Sequence, residues 1–564
     1  MPTRLPIVQS AIAVSGPRDV SHPVLLIGFQ NQGNLGLGYL ASALRQHGYT
    51  VHVIDIEQDP QTILTIALET EPVLIGFSLI FQFFIDRYQE LLELLRGHGI
   101  TAHFTMGGHF PSLSYRQTLD LIPELDSVVR FEGEATLIEL VDAIGRGSDW
   151  RAIPGIAFRR DSDVIATPAR PLLEDLDLLP HPDRSYQPNA VLGRSIMPIL
   201  ASRGCARTCS FCSIHTFYRS APGKMVRTRR PAEVVSEMRA LHRERGIRIF
   251  LFQDDDFPLF GPVWRRWANQ FVDELEQSEL AGRVIWKINC RADAVDRDLF
   301  IRMRDAGLYL VYMGLESGSE EGLETLHKQI TVVQNLRAVE LLKSIGLMWE
   351  YGFMLLDPSS TFDSVRSNLR FLRTILADGC LPVTFCRMLP YDGTPIKDEL
   401  VRNGRLLGDV CNPDYTFLDP RLSAFYDGLT SFISLTGWIH GLEAVTLQLG
   451  CAWHEVATME RLFPALPDMD RYKETLREIT KGSNDLLLDV VEDLTYCYSD
   501  GRPNRWDAAE VERRRENVLK VLRAERDGFI LRHQDRLLDA LEVDGVEIPV
   551  DADDACVAGD DSTP

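Results

Sequence analysis

Short apolar runs alternate with stretches of helical periodicity over much of this chain, and that alternation constrains the fold more than any other feature. The first series begins with VLLIGF after Pro23 and closes with the helical stretch ELVDAIGRG. Strands that alternate with helices of about 10–15 residues are typical of βαβ units, which build parallel sheets. We therefore predict a doubly wound, flavodoxin- or Rossmann-like parallel sheet over residues 22–150.

A second series of the same kind begins near residue 190. Its six strand candidates read MPILAS, RIFLFQD, VIWKINC, LYLVYMG, GLMWEYGFML and PVTFCRML. A chain of 564 residues is too long for one hydrophobic core, so several domains are expected. The segments that we predict are a tail, the first sheet, a Pro-rich linker, the second series, a helical domain and a disordered tail, at residues 1–21, 22–150, 151–189, 190–410, 411–545 and 546–564.

Three closely spaced cysteines follow the first strand of the second series. Cys205, Cys209 and Cys212 have the spacing C-x3-C-x2-C, and thiolates held this close can ligate three irons of a [4Fe-4S] cluster. The fourth iron would then be open to a small molecule. Zinc is the alternative, because His215 could complete a four-ligand set, although structural zinc sites usually pair two Cys-x2-4-Cys knuckles. A chance grouping of cysteines is the remaining explanation.

The cysteine spacing, together with Phe211 before the third cysteine, resembles the signature of the radical S-adenosylmethionine (SAM) superfamily. The resemblance implies that the second series is a partial (β/α)6 barrel. It also implies that SAM binds the open iron and is cleaved there to a 5′-deoxyadenosyl radical, with an external one-electron donor of the flavodoxin or ferredoxin type. The SAM contacts that it implies are Asp254, Asp255, Asp256, Arg291 and Glu316. A turn or helix start remains an alternative for the three aspartates, and a structural ion pair for Arg291.

The loops that follow the strands of the first series resemble those of the cobalamin-binding domain that precedes many radical SAM cores. Ligands of an open parallel sheet bind at the carboxyl ends of its strands, where these loops lie. The resemblance implies cobalamin contacts at Asn34, Gly36, Gly38, Ser78, Gly107, Gly108, His109, Glu132 and Gly133. The motif D-x-H-x-x-G, which supplies a lower histidine ligand to cobalt, is absent because Asp55 is followed by IEQDP. A structural flavodoxin-like module is the alternative for this domain.

The charge and the cysteine content limit the partners and the compartment. A net charge of −22 argues against general binding to nucleic acid, which needs a basic face. The basic run Lys224, Arg227, Arg229 and Arg230 is interpreted as a solvated face, and a local basic patch that binds nucleic acid is the alternative. No apolar stretch near 20 residues predicts a membrane helix, and no signal peptide is recognised. Ten cysteines without a disulfide pattern indicate a reducing cytoplasm.

The order of these domains resembles the cobalamin-dependent radical SAM enzymes of the class B methylase type. This resemblance implies C-methylation of an unactivated carbon of a small molecule, by way of methylcobalamin and the 5′-deoxyadenosyl radical, in the biosynthesis of an antibiotic or another secondary metabolite. A cyclisation, rearrangement or oxidation with the same cofactors is the alternative within the family. A cofactor-binding or sensing module that does not cleave SAM is the alternative from another class.

Overall fold

The computed structural model describes residues 22–30, 33–463 and 466–542, so the tails predicted at 1–21 and 546–564 lie outside the described residues. The chain divides into two compact units. The first unit comprises Asn34–Leu172 and Leu179–Ser185 together with the described residues up to Gln30. The second comprises Gly33, Leu173–Leu178 and the chain from Tyr186 onward.

The first unit is a seven-stranded sheet with helices on both faces. Its strands are β1 (Val24–Gly28), β2 (Val51–Asp55), β3 (Leu74–Ser78), β4 (His103–Gly107), β5 (Ser127–Val129), β6 (Ile156–Arg160) and β7 (Asp163–Ala166). Its helices are α1 (Leu35–Gln46), α2 (Pro60–Thr70), α3 (Ile85–Gly97), α4 (His109–Leu113), α5 (Tyr115–Leu121) and α6 (Glu134–Gly145). The strand order is β2-β1-β3-β4-β5-β6-β7, and β1 to β5 are parallel.

Strand β1 shows why the sheet is covered on both sides, because all five of its residues are buried. Val24 and Leu26 pack into a core with Leu37 of α1 and Leu137 of α6. The alternate residues Leu25 and Ile27 are equally buried and point to the opposite face, since side chains alternate along a strand.

The stretch predicted as a linker contains regular structure. Strands β6 and β7 form an antiparallel hairpin that adds to the edge of the first sheet beyond β5. Their pattern was obscured in the sequence by the prolines at 154, 168 and 171, which flank the hairpin without interrupting it.

The second unit contains a curled sheet that forms a half-barrel. The strands of this unit up to residue 387 are β8 (Ala190–Val191), β9 (Arg194–Ile199), β10 (Ser202–Arg203), β11 (Arg227–Thr228), β12 (Ile249–Phe252), β13 (Ile285–Cys290), β14 (Leu308–Glu316), β15 (Met348–Leu356) and β16 (Cys386–Arg387). The helices among them are α7 (Ser213–Arg219), α8 (Pro231–Arg245), α9 (Gly261–Glu276), α10 (Arg297–Asp305), α11 (Glu320–Thr325), α12 (Val332–Ser344), α13 (Phe362–Ile375) and α14 (Pro395–Arg402).

Six strands of this sheet are parallel and follow one another in the order β9, β12, β13, β14, β15, β16. The antiparallel β8 lies beyond β9, while β10 and β11 form a separate ribbon. The order matches a partial (β/α)6 barrel, and the predicted fold class is confirmed. Cys386 is exposed on the edge strand β16.

The rest of the second unit is mainly helical. After the short hairpin β17 (Leu406–Gly408) and β18 (Pro413–Tyr415) come α15 (Pro420–Phe432), α16 (Leu435–Trp438), α17 (Val445–Leu462), α18 (Met469–Asp500), α19 (Ala508–Arg532) and α20 (Gln534–Glu542). Helix α17 packs against the half-barrel, where His454 and Tyr309 of β14 share a hydrogen bond of 2.6 Å. Buried Arg194, the first residue of β9, donates to the carbonyl of Leu537 at 3.1 Å. None of the helices that the structure describes is long and apolar enough to span a membrane.

Candidate active site

The three cysteines lie on a loop that begins immediately after β10. Cys209 is buried, whereas Cys205 and Cys212 are half-buried. Gly204 makes the turn into this loop with a φ of +89°, and a Cβ at this position would collide with the carbonyl oxygen of Met225. Only glycine fits there without strain, so the sequence Arg-Gly-Cys fixes where the loop leaves the ribbon.

Two of the three consecutive aspartates after β12 hold this loop in place. Asp254 accepts hydrogen bonds from the backbone N–H of Ala201 at 3.2 Å and from the hydroxyl of Ser202. Asp255 accepts from the backbone N–H of Gly204 at 2.8 Å. Burial raises the pKa of Asp254 to about 7, although the bonds from Ser202 and Ala201 oppose the increase. These two carboxyls therefore position the segment that carries Cys205.

Asp256 differs from its two neighbours because it faces the thiol. Its Oδ2 lies 3.9 Å from the Sγ of Cys205. Burial raises the pKa of Asp256 to about 6, while Arg291 and Arg207 act in the opposite direction. Of the three predicted SAM contacts in this run, Asp256 is the one whose side chain approaches a cysteine sulfur.

Arg291 connects the end of β13 to the cysteine loop. Its guanidinium pairs with Asp293 at 3.0 Å, donates to the Sγ of Cys209 at 3.6 Å and donates to the backbone carbonyl of Lys328. The ion pair that the sequence left open as a structural alternative is therefore present. It does not stand alone, because the same side chain also contacts a cysteine.

Glu316 ends β14 at a bulge and has a φ of +63°, a rare conformation for a residue other than glycine. Its Oε1 lies 2.8 Å from the Nζ of Lys328, whose side chain is almost fully buried. Sequence reasoning missed Lys328. It stands alone in the run LHKQIT, which matches no motif, and only the fold brings it to the cysteine loop.

The donor set around the loop fits an iron–sulfur cluster. Burial raises the pKa of Cys205 to about 12 and that of Cys212 to about 11. Coordination to a metal would deprotonate both thiols. Within the described residues, no three His, Cys, Asp or Glu side chains are grouped to hold a single metal ion. A cubane places each thiolate on a different iron, which suits three sulfurs that do not converge on one point.

The predicted cobalamin contacts lie at one edge of the first unit, after the carboxyl ends of the parallel strands. Gly28, Ser78 and Gly107 occupy the same register position on β1, β3 and β4. Gly108 follows with a φ of +114°, and a Cβ there would collide with the carbonyl of Leu79. His109 begins α4 at this turn, and burial lowers its pKa to about 4, so the imidazole is neutral.

Some of these residues also have local structural roles. Asn34 caps α1 by accepting a hydrogen bond from the N–H of Leu37 at 3.0 Å. Gly38 packs closely against Asp183, whose N–H donates to the carbonyl of Gly38 at 3.0 Å. Gly133 lies at the N-cap of α6, directly after Glu132. The glycine pattern in this domain is thus explained in part by packing.

An aromatic group at the same edge was not anticipated from the sequence. The rings of Phe81 and Phe83 are stacked with centroids 5.4 Å apart, and Phe84 contacts Phe29 at 4.5 Å. Phe81 and Phe84 are exposed although they are large and apolar. The run FQFF after β3 was the available sequence signal for this group.

The basic run 224–230 is not a solvated face, and that interpretation is wrong for two of its members. Arg227 and Arg229 are buried, and Arg229 pairs with Glu237 and with Asp177 at 3.5 Å. Arg230 is exposed but pairs with the same Asp177 at 3.0 Å. The sequence could not show this network because its acids lie on α8 and in the segment before β8.

Comparison with known proteins assigns the two sites to families. The model of the B12 binding domain matches residues 30–141, and the model of the Radical SAM superfamily matches residues 199–372. The chain therefore carries a B12-binding domain followed by a radical SAM domain. These domains show that it is an enzyme, and the predicted cofactor set of a [4Fe-4S] cluster, SAM and cobalamin is confirmed.

The relatives of this radical SAM enzyme carry different names. An uncharacterised methyltransferase of Pyrococcus horikoshii is 29% identical over 392 residues, which cover 68% of this chain and 82% of that protein. An anaerobic magnesium-protoporphyrin IX monomethyl ester cyclase of Rubrivivax gelatinosus is 30% identical over 357 residues, covering 60% of this chain and 61% of the cyclase.

A solved structure shares the fold of the radical SAM enzyme described here. It is the cobalamin-dependent S-adenosylmethionine radical enzyme OxsB with aqua-cobalamin bound. The TM-score is 0.64 at 19% identity, and the match covers 93% of this chain and 84% of OxsB. At this identity the likeness concerns the fold alone.

Proposed function

We propose that the enzyme transfers a methyl group from SAM, by way of cobalamin, to an unactivated carbon of a small molecule. The observation that carries the proposal is the presence of a B12-binding domain and a radical SAM core in one chain. The length of the match supports methyl transfer, because it spans 82% of the relative named a methyltransferase but 61% of the cyclase.

The proposed roles of the residues follow from their positions. Cys205, Cys209 and Cys212 hold the cluster, and Gly204 fixes the entry to their loop. Asp254 and Asp255 brace that loop through the contacts described above, which leaves Asp256 to face the amino group of SAM. When bound, the cofactors supply a 5′-deoxyadenosyl radical and a transferable methyl group.

In the first unit, the proposed cobalamin site is the edge formed by the carboxyl ends of β1, β3, β4 and β5. Gly108 supports this assignment because its backbone has no side chain and can approach a bulky ligand closely. His109 remains a candidate for contact with the nucleotide tail. The electron donor that we propose is a flavodoxin or a ferredoxin.

The second candidate function is a radical cyclisation or oxidation without methyl transfer. The observation that favours it is the 30% identity to the magnesium-protoporphyrin ester cyclase. Both functions use a cluster, SAM and cobalamin, so the domains do not separate them.

A reaction without substrate separates the two candidates. The enzyme is reconstituted anaerobically with iron, sulfide and hydroxocobalamin, then incubated with titanium(III) citrate and SAM whose methyl group carries three deuterium atoms. Methyl transfer predicts S-adenosylhomocysteine and a deuterated methyl group on the corrinoid, together with some 5′-deoxyadenosine. Formation of 5′-deoxyadenosine without any methylated corrinoid would favour the second candidate, and the absence of both products would contradict both.

A further inference from the structure

The inner face of the half-barrel carries polar side chains in the middle of its strands. Side chains alternate between the two faces along β14 and β15. Val311 and Trp349 are in register and buried, and Lys343 of the outer helix α12 lies 5.8 Å from the centre of the Trp349 ring. The next residues along the strands, Tyr312 and Glu350, are in register as well and partly exposed. They therefore point to the inner face, which the helices do not cover.

An ion pair crosses this inner face from β13 to β15. The Nζ of Lys287 lies 2.7 Å from the Oε2 of Glu350, and the two side chains are 20% and 29% exposed. Lys287 is in register with Leu310, and Leu310 with Met348, so the pair spans the middle strand β14. The interior of a closed (β/α) barrel is filled mostly by branched apolar residues. An accessible ion pair in this position is therefore suited to bind a polar ligand.

Helix α17 closes the end of the half-barrel at which this ion pair lies. It packs against β13 and β14, and its His454 bonds to Tyr309 near the beginning of β14. Burial lowers the pKa of His454 to about 4, and the charges of Glu350 and Lys287 also act on that pKa. The imidazole is therefore neutral near pH 7, and it lies close to the ion pair without adding a charge.

Two glycines leave room on the inner face between the ion pair and the carboxyl ends of the strands. Gly314 and Gly352 are in register on β14 and β15. A Cβ on Gly352 would collide with the hydroxyl of Tyr312, whose side chain is 37% exposed. Cys386 of β16 is exposed, and yet the surrounding protein raises the pKa of its thiol to about 12, which is typical of a group on a concave surface. The inner face thus forms a hollow with an accessible aromatic ring.

We propose that Lys287 and Glu350 bind the zwitterionic head group of an α-amino acid substrate. Lys287 donates to the carboxylate of the ligand, and Glu350 accepts from its ammonium. Because the pair is neutral as a whole, a zwitterion replaces the one ion pair by two and leaves no charge unpaired. A simple anion leaves Glu350 without a cation, and a simple cation leaves Lys287 without an anion, which is costly in a half-buried site.

The position of the ion pair also sets the orientation of this substrate. Glu316 ends β14 four residues beyond Tyr312, about 13 Å further along the strand at roughly 3.3 Å per residue. The head group lies toward α17, and an apolar side chain passes Tyr312 toward the cysteine loop. This inference rests on the proposed function, since it takes the inner face as the place where the substrate meets the radical. It adds that the methyl group goes to the side chain of an amino acid.

The experiment first identifies a ligand on the anaerobically reconstituted full chain with SAM present and no reductant. Isothermal titration calorimetry measures the binding of L-phenylalanine, L-tyrosine, L-tryptophan and L-leucine. The amino acid that binds most tightly is then compared with the matching amine, which lacks the carboxylate, and with the matching acid, which lacks the ammonium. The amino acid should bind the wild-type enzyme about tenfold to hundredfold more tightly than either analogue, the value of one charge-assisted hydrogen bond.

Two variants should change this selectivity in opposite directions. Lys287→Met leaves Glu350 free, so the amino acid should bind about tenfold to hundredfold more weakly and the amine more tightly than in the wild type. Glu350→Gln leaves Lys287 free, so the amino acid should again lose affinity while the acid gains it. Lys343→Met is the matched control, because Lys343 pairs with Asp378 at 2.6 Å and is 29% exposed, but lies on an outer helix. It should keep the wild-type affinities.

The outcomes separate this inference from a structural role of the ion pair. A structural pair predicts that neither variant strengthens the binding of an analogue, whereas loss of folding lowers the iron content and weakens all ligands alike. Either result would overturn the inference, and so would a wild-type enzyme that binds none of the four amino acids.

The proposed function is tested separately, because the assay with deuterated SAM needs no substrate. If the corrinoid is methylated but no amino acid binds, the inference fails and the proposed function stands. If the amino acid binds with the expected selectivities but no methylated corrinoid forms, methyl transfer fails and the head-group site stands.

Discussion

Replacing Gly204 with alanine tests whether the turn before Cys205 determines assembly of the cluster site. Gly193 is the matched control, because its φ of +72° is also left-handed but a Cβ there would meet no atom within 4 Å. A left-handed backbone costs alanine about 1–2 kcal/mol, and we expect Gly193→Ala to lose about that much free energy of unfolding.

At Gly204 the cost is larger because the added Cβ meets a backbone carbonyl, which cannot rotate away as a side chain could. To relieve this clash, the ribbon of β10 and β11, in which Arg203 lies opposite Arg227, must shift. The shift breaks the hydrogen bond from the Gly204 N–H to Asp255. A buried carboxylate that loses a donor adds about 1–3 kcal/mol. The expected total for Gly204→Ala is about 2–5 kcal/mol.

Urea unfolding of the anaerobically purified variants measures this difference, and iron content per chain measures the effect on the site. We expect Gly204→Ala to lose most of its iron, while Gly193→Ala keeps the wild-type content. If both variants were equally stable and bound equal amounts of iron, the turn would not control the cysteine loop, and the reasoning from the Met225 carbonyl would be wrong.

Three further predictions concern other elements. Asp254→Ala should cost about 2 kcal/mol or more and lower iron content, because Ala201 N–H and the Ser202 hydroxyl lose their acceptor, whereas Asp254→Asn keeps one acceptor oxygen and should lose less. Asn34→Ala should destabilise the first unit by about 1 kcal/mol in thermal unfolding, through loss of the α1 cap, and Asn34→Ser should recover most of it. Burial lowers the pKa of His454 to about 4 in the folded protein. Between about pH 6.5 and 4 the unfolded chain therefore binds a proton at this histidine that the folded chain does not, so the free energy of unfolding decreases as the pH falls. Between pH 7 and pH 5 the free energy of unfolding should fall by about 2 kcal/mol through this histidine, and the variant His454→Asn should not show this decrease.

The sequence predicted the parts of the fold that depend on local pattern. Apolar runs such as VLLIGF and the helical stretches between them were enough to predict both parallel sheets, because strand and helix periods differ. The three cysteines were enough to predict the cluster, because their chemistry depends on spacing within one loop. Domain families confirm the cofactors that these patterns implied.

The rest depended on contacts between distant parts of the chain. Lys328 is held at the cysteine loop by the left-handed residues on either side of it and by the bond from Arg291 to its carbonyl. Ser210 adds a bond to the carbonyl of Leu326, two positions earlier, and no pattern in LHKQIT predicts these contacts. The burial of Arg229 similarly depends on Asp177, 52 positions earlier in the chain. Strand β6 was missed because surrounding prolines suggested a linker, although a hairpin can lie between them.

The bond from Arg194 to the carbonyl of Leu537 has a consequence for biosynthesis. The two residues are separated by 343 positions, so the first strand of the half-barrel leaves the ribosome long before its last partner. At about 5–20 residues per second, that delay is roughly 20–70 s. During this interval the buried guanidinium of Arg194 lacks one of its hydrogen-bond acceptors. A premature stop codon that removed α20 would leave the guanidinium without this acceptor permanently.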